Sequence, residues 1–89
     1  MELTITVHPR VAQKRPEISD ADAAAAVRQA IRTRPRATEP RQWAGIGLDL
    51  RGRLLEFVAV ELAEDRWLVY HAATATAKMQ RELGFGERR

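Results

Sequence analysis

Cysteine is absent from the 89 residues, which excludes disulfides and thiolate metal sites. Histidine is scarce. His8 and His71 are the only two, so an imidazole metal site would need carboxylates to complete it. Lysine is nearly missing: of fifteen basic residues thirteen are arginine, and only Lys14 and Lys78 are lysine. No apolar run approaches the length of a membrane span, and the N-terminus shows no signal-peptide apolar region. The expectation is a cytoplasmic protein without membrane contact, metal or other cofactor. No internal repeat is visible.

What is present fits one small domain over residues 1–89, since chains divide only at much greater size. A hydrophobic fraction of 45% argues against wholesale disorder. The core is small, and such domains are often stabilised by a partner or by oligomerisation. The net charge is +3. Arginine offers a fork suited to phosphate and stacks on bases, although an Ala- and Arg-rich chain also reflects GC-rich coding.

The densest strand signal lies between Trp43 and Thr74. Ala44, Ile46, Leu48 and Leu50 alternate with Trp43, Gly45, Gly47 and Asp49, the period of a strand with one buried face. Leu54, Val58, Val60 and Leu62 then share one face, and Leu55, Phe57 and Ala59 the other, as in a central strand covered on both sides. A third run spans Trp67 to Ala73. Arg51-Gly52 and Ala63-Glu64-Asp65-Arg66 separate the runs, with Gly52 free to take positive φ. The pattern predicts a three-stranded antiparallel meander.

The flanking segments complete the chain. Leu3, Ile5 and Val7 alternate with Glu2, Thr4 and Thr6, which predicts an edge strand. Pro9 suits the first turn of a short helix to about Arg15, where Pro16 ends it. Ser19 caps a longer helix, with Asp20 and Asp22 at its positive end. Ala23, Val27, Ala30 and Ile31 form its apolar stripe, and Pro35 stops it near Thr33. Arg34 to Arg41 is a polar connection. Its arginines suit either a solvated loop or an edge that meets phosphate or a partner. Thr76 caps a last helix to about Leu83, with Gly84 as its stop. Phe85 folds back onto the core, and Glu87-Arg88-Arg89 frays. The expected architecture is α+β, a small antiparallel sheet in the order β-α-α-β-β-β-α. Two helices lie on one face, and the other face is partly open or closed by the C-terminal helix.

Four stretches carry a family resemblance: H-P-R-V-A-Q-K-R-P-E-I, D-A-D-A-A-A-A-V-R-Q-A-I, I-G-L-D-L-R-G-R-L-L-E-F-V-A-V, and W-L-V-Y-H-A-A-T with a basic segment after it. Together with the element order, they resemble the RelE-like superfamily of bacterial toxins, nearest to its BrnT-type branch and small actinobacterial relatives. The resemblance extends from Leu3 to Leu83. It implies the toxin of a type II toxin–antitoxin pair, a RelE-like fold, metal-independent RNA cleavage that arrests translation, and a cognate antitoxin that binds the chain as a hetero-oligomer. In two respects the chain departs from it: Ala72-Ala73-Thr74 stands where the BrnT-type branch tends to carry an arginine, and Lys78-Met79-Gln80-Arg81-Glu82 stands where that branch often has a last helix rich in Arg, Glu and Tyr.

RNA cleavage without metal needs a base for the 2′-OH proton, an acid for the leaving oxygen, and cations on the phosphate. Histidine is the side chain matched to proton transfer near neutrality. His8 and His71, each near a strand end, are the candidate catalytic pair. Arg10 and Lys14 on the first helix, Arg51 and Arg53 around Gly52, and Lys78 and Arg81 on the last helix are the candidate RNA contacts. Each also fits a plainer role, as a capping, turn or solvated residue. Tyr70 alternates with His71, so the strand period turns it to the other face and into the core with Trp67 and Phe57. Trp43 fits either stacking on a base or packing under the arginine connection. Two other functions remain open: a toxin of this fold that inhibits a protein target such as gyrase, and a basic nucleic-acid-binding module.

Overall fold

A computed structural model describes residues 3–85; the terminal Glu87-Arg88-Arg89 lies outside them. The chain is an α+β fold of five strands and three helices: β1 (Thr4–Val7), α1 (Pro9–Lys14), α2 (Asp20–Arg28), β2 (Ala30–Pro35), β3 (Gln42–Leu48), β4 (Leu54–Ala63), β5 (Arg66–Thr74) and α3 (Ala77–Glu82). The strands form one sheet in the order β1-β5-β4-β3-β2. The meander β3-β4-β5 is antiparallel throughout, as its alternation predicts. Among the described residues no helix is long and apolar enough to cross a membrane.

Two features differ from expectation. The sheet is mixed, because β1 runs parallel to β5 with Val7 opposite Val69. It also has one strand more, so the order is β-α-α-β-β-β-β-α. Ala30 to Pro35 does not continue α2. The helix ends at Arg28 with Gln29 as its C-cap, and the next residues pair with β3, Arg32 opposite Ile46 and Pro35 opposite Trp43. Pairing to a strand that would otherwise leave its edge open outweighs the helical spacing of Ala30 and Ile31. Pro35 sits at the end of an edge strand, where its missing N–H costs little.

The local signals hold elsewhere. Ser19 Oγ accepts the Asp22 N–H and caps α2, and Thr76 Oγ1 accepts the Met79 N–H and caps α3. Gly52 takes φ +78° in the β3–β4 turn, and Gly84 takes φ +87° just beyond α3.

The helices take opposite faces. Val11 of α1, Ile18, and Ala23 and Ala26 of α2 pack on Leu55, Phe57, Ala59, Val69 and Ala72. Met79 and Leu83 pack on Ala44, Ile46 and Val58 of the other face, joined by Tyr70 and Phe85. Burying a ring such as Phe57 contributes about 2–3 kcal/mol. α2 lies close against the sheet because Gly47 has no side chain: a Cβ there would stand 2.0 Å from the Ala26 carbonyl oxygen. The six-residue α3 is too short to cover the ten-residue β4. Leu54 and Leu62, expected on a buried face, are 37% and 58% exposed.

Candidate functional site

A bulge in β5 makes the most distinctive site on the molecule. Val58 pairs with His71, but its neighbour Ala59 pairs with Val69. Tyr70 is therefore an extra residue, and the two-residue alternation breaks there. Tyr70 and His71 both reach the α3 side of the sheet, where they line an open cleft of about 330 Å³. This corrects the expectation that Tyr70 faces away from His71. Arg10 of α1, Glu56 of β4, and Lys78 and Glu82 of α3 also line the cleft, with Arg36 beyond β2. A recess of about 120 Å³ adjoins it, sharing Arg10, Tyr70 and His71 and adding Lys14. α1 reaches this side because β1 pairs with β5 only as far as Val69 and α1 packs against β5 beyond it.

His71 and Glu56 form the chemical centre. Glu56 Oε2 is 2.8 Å from His71 Nε2. The other carboxylate oxygen accepts the Thr76 backbone N–H at 2.8 Å and the Thr76 hydroxyl at 2.7 Å. The Glu56 side chain is only 8% exposed and His71 38%. Burial opposes ionisation of Glu56, but the hydrogen bonds from Thr76 and His71 outweigh it and hold the carboxyl below its usual range. An ionised Glu56 assigns the donor role to Nε2 of a neutral ring, so Nδ1 carries the lone pair. A base of this kind, oriented by a carboxylate behind it, suits proton abstraction in the cleft.

The candidate residues divide. Arg10, Lys14 and Lys78 gather around His71. Among the described residues none of the three enters an ion pair, so their charge is available to an anion. His8 does not line the cleft or its recess. Its backbone N–H bonds to Val69 O, and its Nδ1 accepts the Arg10 N–H and caps α1. Arg53 and Arg51 are held elsewhere. Arg53 Nε is 2.6 Å from Asp49, and its Nη2 reaches Asp22 at 3.3 Å; Arg51 Nε approaches Asp22 at 3.7 Å. Both tie the β3–β4 turn to the start of α2. Burial opposes ionisation of Asp49, yet the bonds from Arg53 and Arg51 hold its carboxyl below the usual range. Arg81 is exposed on α3 and outside the cleft lining; Glu82, four residues from Lys78, lines it instead.

Glu56, Arg36 and Glu82 escape a reading by periodicity. Glu56 did carry a signal, as the one charge between Leu54 and Val60. Arg36 grips Glu82 through two bonds, 2.8 and 2.9 Å. The pair raises the Arg36 guanidinium and lowers the Glu82 carboxyl relative to their usual values. Arg34 and Arg32 donate to the Glu82 and Leu83 carbonyls at 2.8 and 3.1 Å, and Arg32 lies 4.4 Å over the Phe85 ring. The arginines of β2 thus satisfy the open carbonyls that end α3, where a polar loop was expected.

Comparison with family models, curated proteins and solved structures gives no match.

Proposed function

We propose that the chain is a RelE-like toxin of a type II toxin–antitoxin pair and cleaves RNA in this cleft without metal. The observation that carries the reading is His71, half exposed among free cations and backed by a buried, ionised Glu56. In the proposed reaction His71 Nδ1 takes the 2′-OH proton, and Glu56 stabilises the resulting imidazolium. The 2′-oxygen bonds to phosphorus as the bond to the 5′-oxygen breaks. The Tyr70 hydroxyl protonates that leaving oxygen and is reprotonated by water. Arg10 and Lys78 hold the phosphate as charge builds on it, and Lys14 holds the next phosphate along the recess. The products are a 2′,3′-cyclic phosphate and a 5′-hydroxyl. His8 is left to its capping role and Arg51 and Arg53 to the turn. mRNA as substrate places the protein in the cytoplasm, and a short gene beside its own encodes the neutralising antitoxin.

Incubating purified protein with RNA in EDTA tests this reading. Wild type cleaves, His71→Ala loses about 10² to 10⁴ in rate, and His8→Ala keeps most of it. Equal rates for wild type and a folded His71→Ala rule the mechanism out. Ala72-Ala73-Thr74, standing where an arginine was expected, favours a second reading, a toxin that arrests growth by binding a protein target. Growth arrest on induction that persists in both His71→Ala and Tyr70→Phe selects it.

A further inference from the structure

The face of the sheet under α2 is not covered to its end. Past that helix lies a largely apolar cavity of about 230 Å³. Strand register builds it. Trp43 pairs with Ala59, Glu61 pairs with Trp67, and Ala59 and Glu61 are two apart on β4 and so share a face. Ala59 is small, and the two indoles close over it with centroids 6.1 Å apart and planes at 74°. Phe57 adds a third ring, and Leu3, Val27 and Thr33 complete the wall; the Arg28 guanidinium donates to the Leu3 carbonyl at 3.3 Å and is partly engaged there. Glu61 lines the same cavity. It is exposed and enters no ion pair among the described residues.

Aromatic walls at a steep angle with one free carboxylate have a defined chemical preference. The faces of indole and phenyl rings carry negative potential and attract a cation whose surface is apolar. Glu61 adds full negative charge, which repels anions and gives nothing to a neutral hydrocarbon. We propose that this cavity is a binding site for a small organic cation of the quaternary alkylammonium class. It lies on the sheet face opposite His71 and does not depend on the RNA reaction.

Both tryptophans of the chain line the cavity, so their indole N–H resonances report on it directly. Trp43 Nε1 is buried with no hydrogen-bond partner among the described residues, which makes its signal sensitive to a guest. The experiment titrates 15N-labelled protein with choline and with its neutral isostere 3,3-dimethyl-1-butanol, at constant ionic strength. Choline moves both indole signals saturably, and the alcohol binds about tenfold more weakly. Glu61→Gln, an exposed change that leaves the fold intact, narrows that gap severalfold. The absence of a saturable shift with choline, or equal affinity for the neutral alcohol, overturns the proposal.

Discussion

Glu56 occupies a position that apolar packing alone would give to a leucine or valine. Its carboxylate is tolerated because three hydrogen bonds meet it, two from Thr76 and one from His71. The same bonds set its response to acid. Its folded-state value lies below the ordinary 4.5, so protons bind the unfolded chain first as pH falls. Stability from this group is complete above the ordinary value and is lost as pH drops through the folded one. Glu82 and Asp49 shift the same way. Thermal melts therefore hold a plateau near neutrality and fall steeply below about pH 4.5. Glu56→Gln costs about 1–3 kcal/mol at neutral pH, since it loses the ionic acceptor, and flattens part of the acid limb. An acid limb identical to wild type contradicts this assignment. The residue scale also shows why the site was only half legible. His71, Arg10, Lys14 and Lys78 stand out by residue type and by helical or strand spacing. Tyr70 does not, because one inserted residue reverses the alternation by which its face was read.

Among the elements, the meander and helix caps could be read from local pattern because their signals lie within a few residues of each other. β2 had no such signal. Arg32, Thr33, Arg34 and Pro35 have no apolar face and follow a strongly helical alanine run, so only pairing with the following strand β3 makes them a strand. The parallel pairing of β1 with β5 is far more non-local, setting Val7 opposite Val69. Two glycines separate packing from backbone strain. Gly47→Ala forces a Cβ against the Ala26 carbonyl and costs about 3 kcal/mol or more. Gly52→Ala meets no atom within 4 Å but keeps φ at +78°, and costs about 1–2 kcal/mol. Urea denaturation ranks the two, and the reverse order contradicts the close approach of α2. The arginines of β2, with Arg36 just beyond it, act on α3. In Arg34→Ala/Arg36→Ala the amides of Met79 to Leu83 exchange with solvent much faster than in wild type, while those of β4 keep their protection. Unchanged exchange in α3 means the clasp does not hold the helix.

At the scale of the molecule, a mixed sheet with helices on both faces leaves a cationic cleft where β1 ends and α1 turns across the edge of β5. On the proposed reading, single-stranded RNA bound there releases counterions, at about 0.7 per phosphate contacted. Removing Arg10 and Lys78 together lowers the salt slope of RNA affinity by about 1.4, whereas Arg51→Ala leaves it unchanged. An unchanged slope without Arg10 and Lys78, with a loss in Arg51→Ala, would place the RNA away from the cleft. The most direct test of His71-driven chemistry is the fate of one defined oligoribonucleotide in EDTA, followed by mass spectrometry of its new ends. Wild type yields 2′,3′-cyclic phosphate and 5′-hydroxyl termini, a 2′-deoxy substitution at the cut position abolishes the cut, and folded His71→Ala is slower by at least about a hundredfold. Cleavage that persists at the 2′-deoxy position, or that folded His71→Ala performs at the wild-type rate, would contradict it.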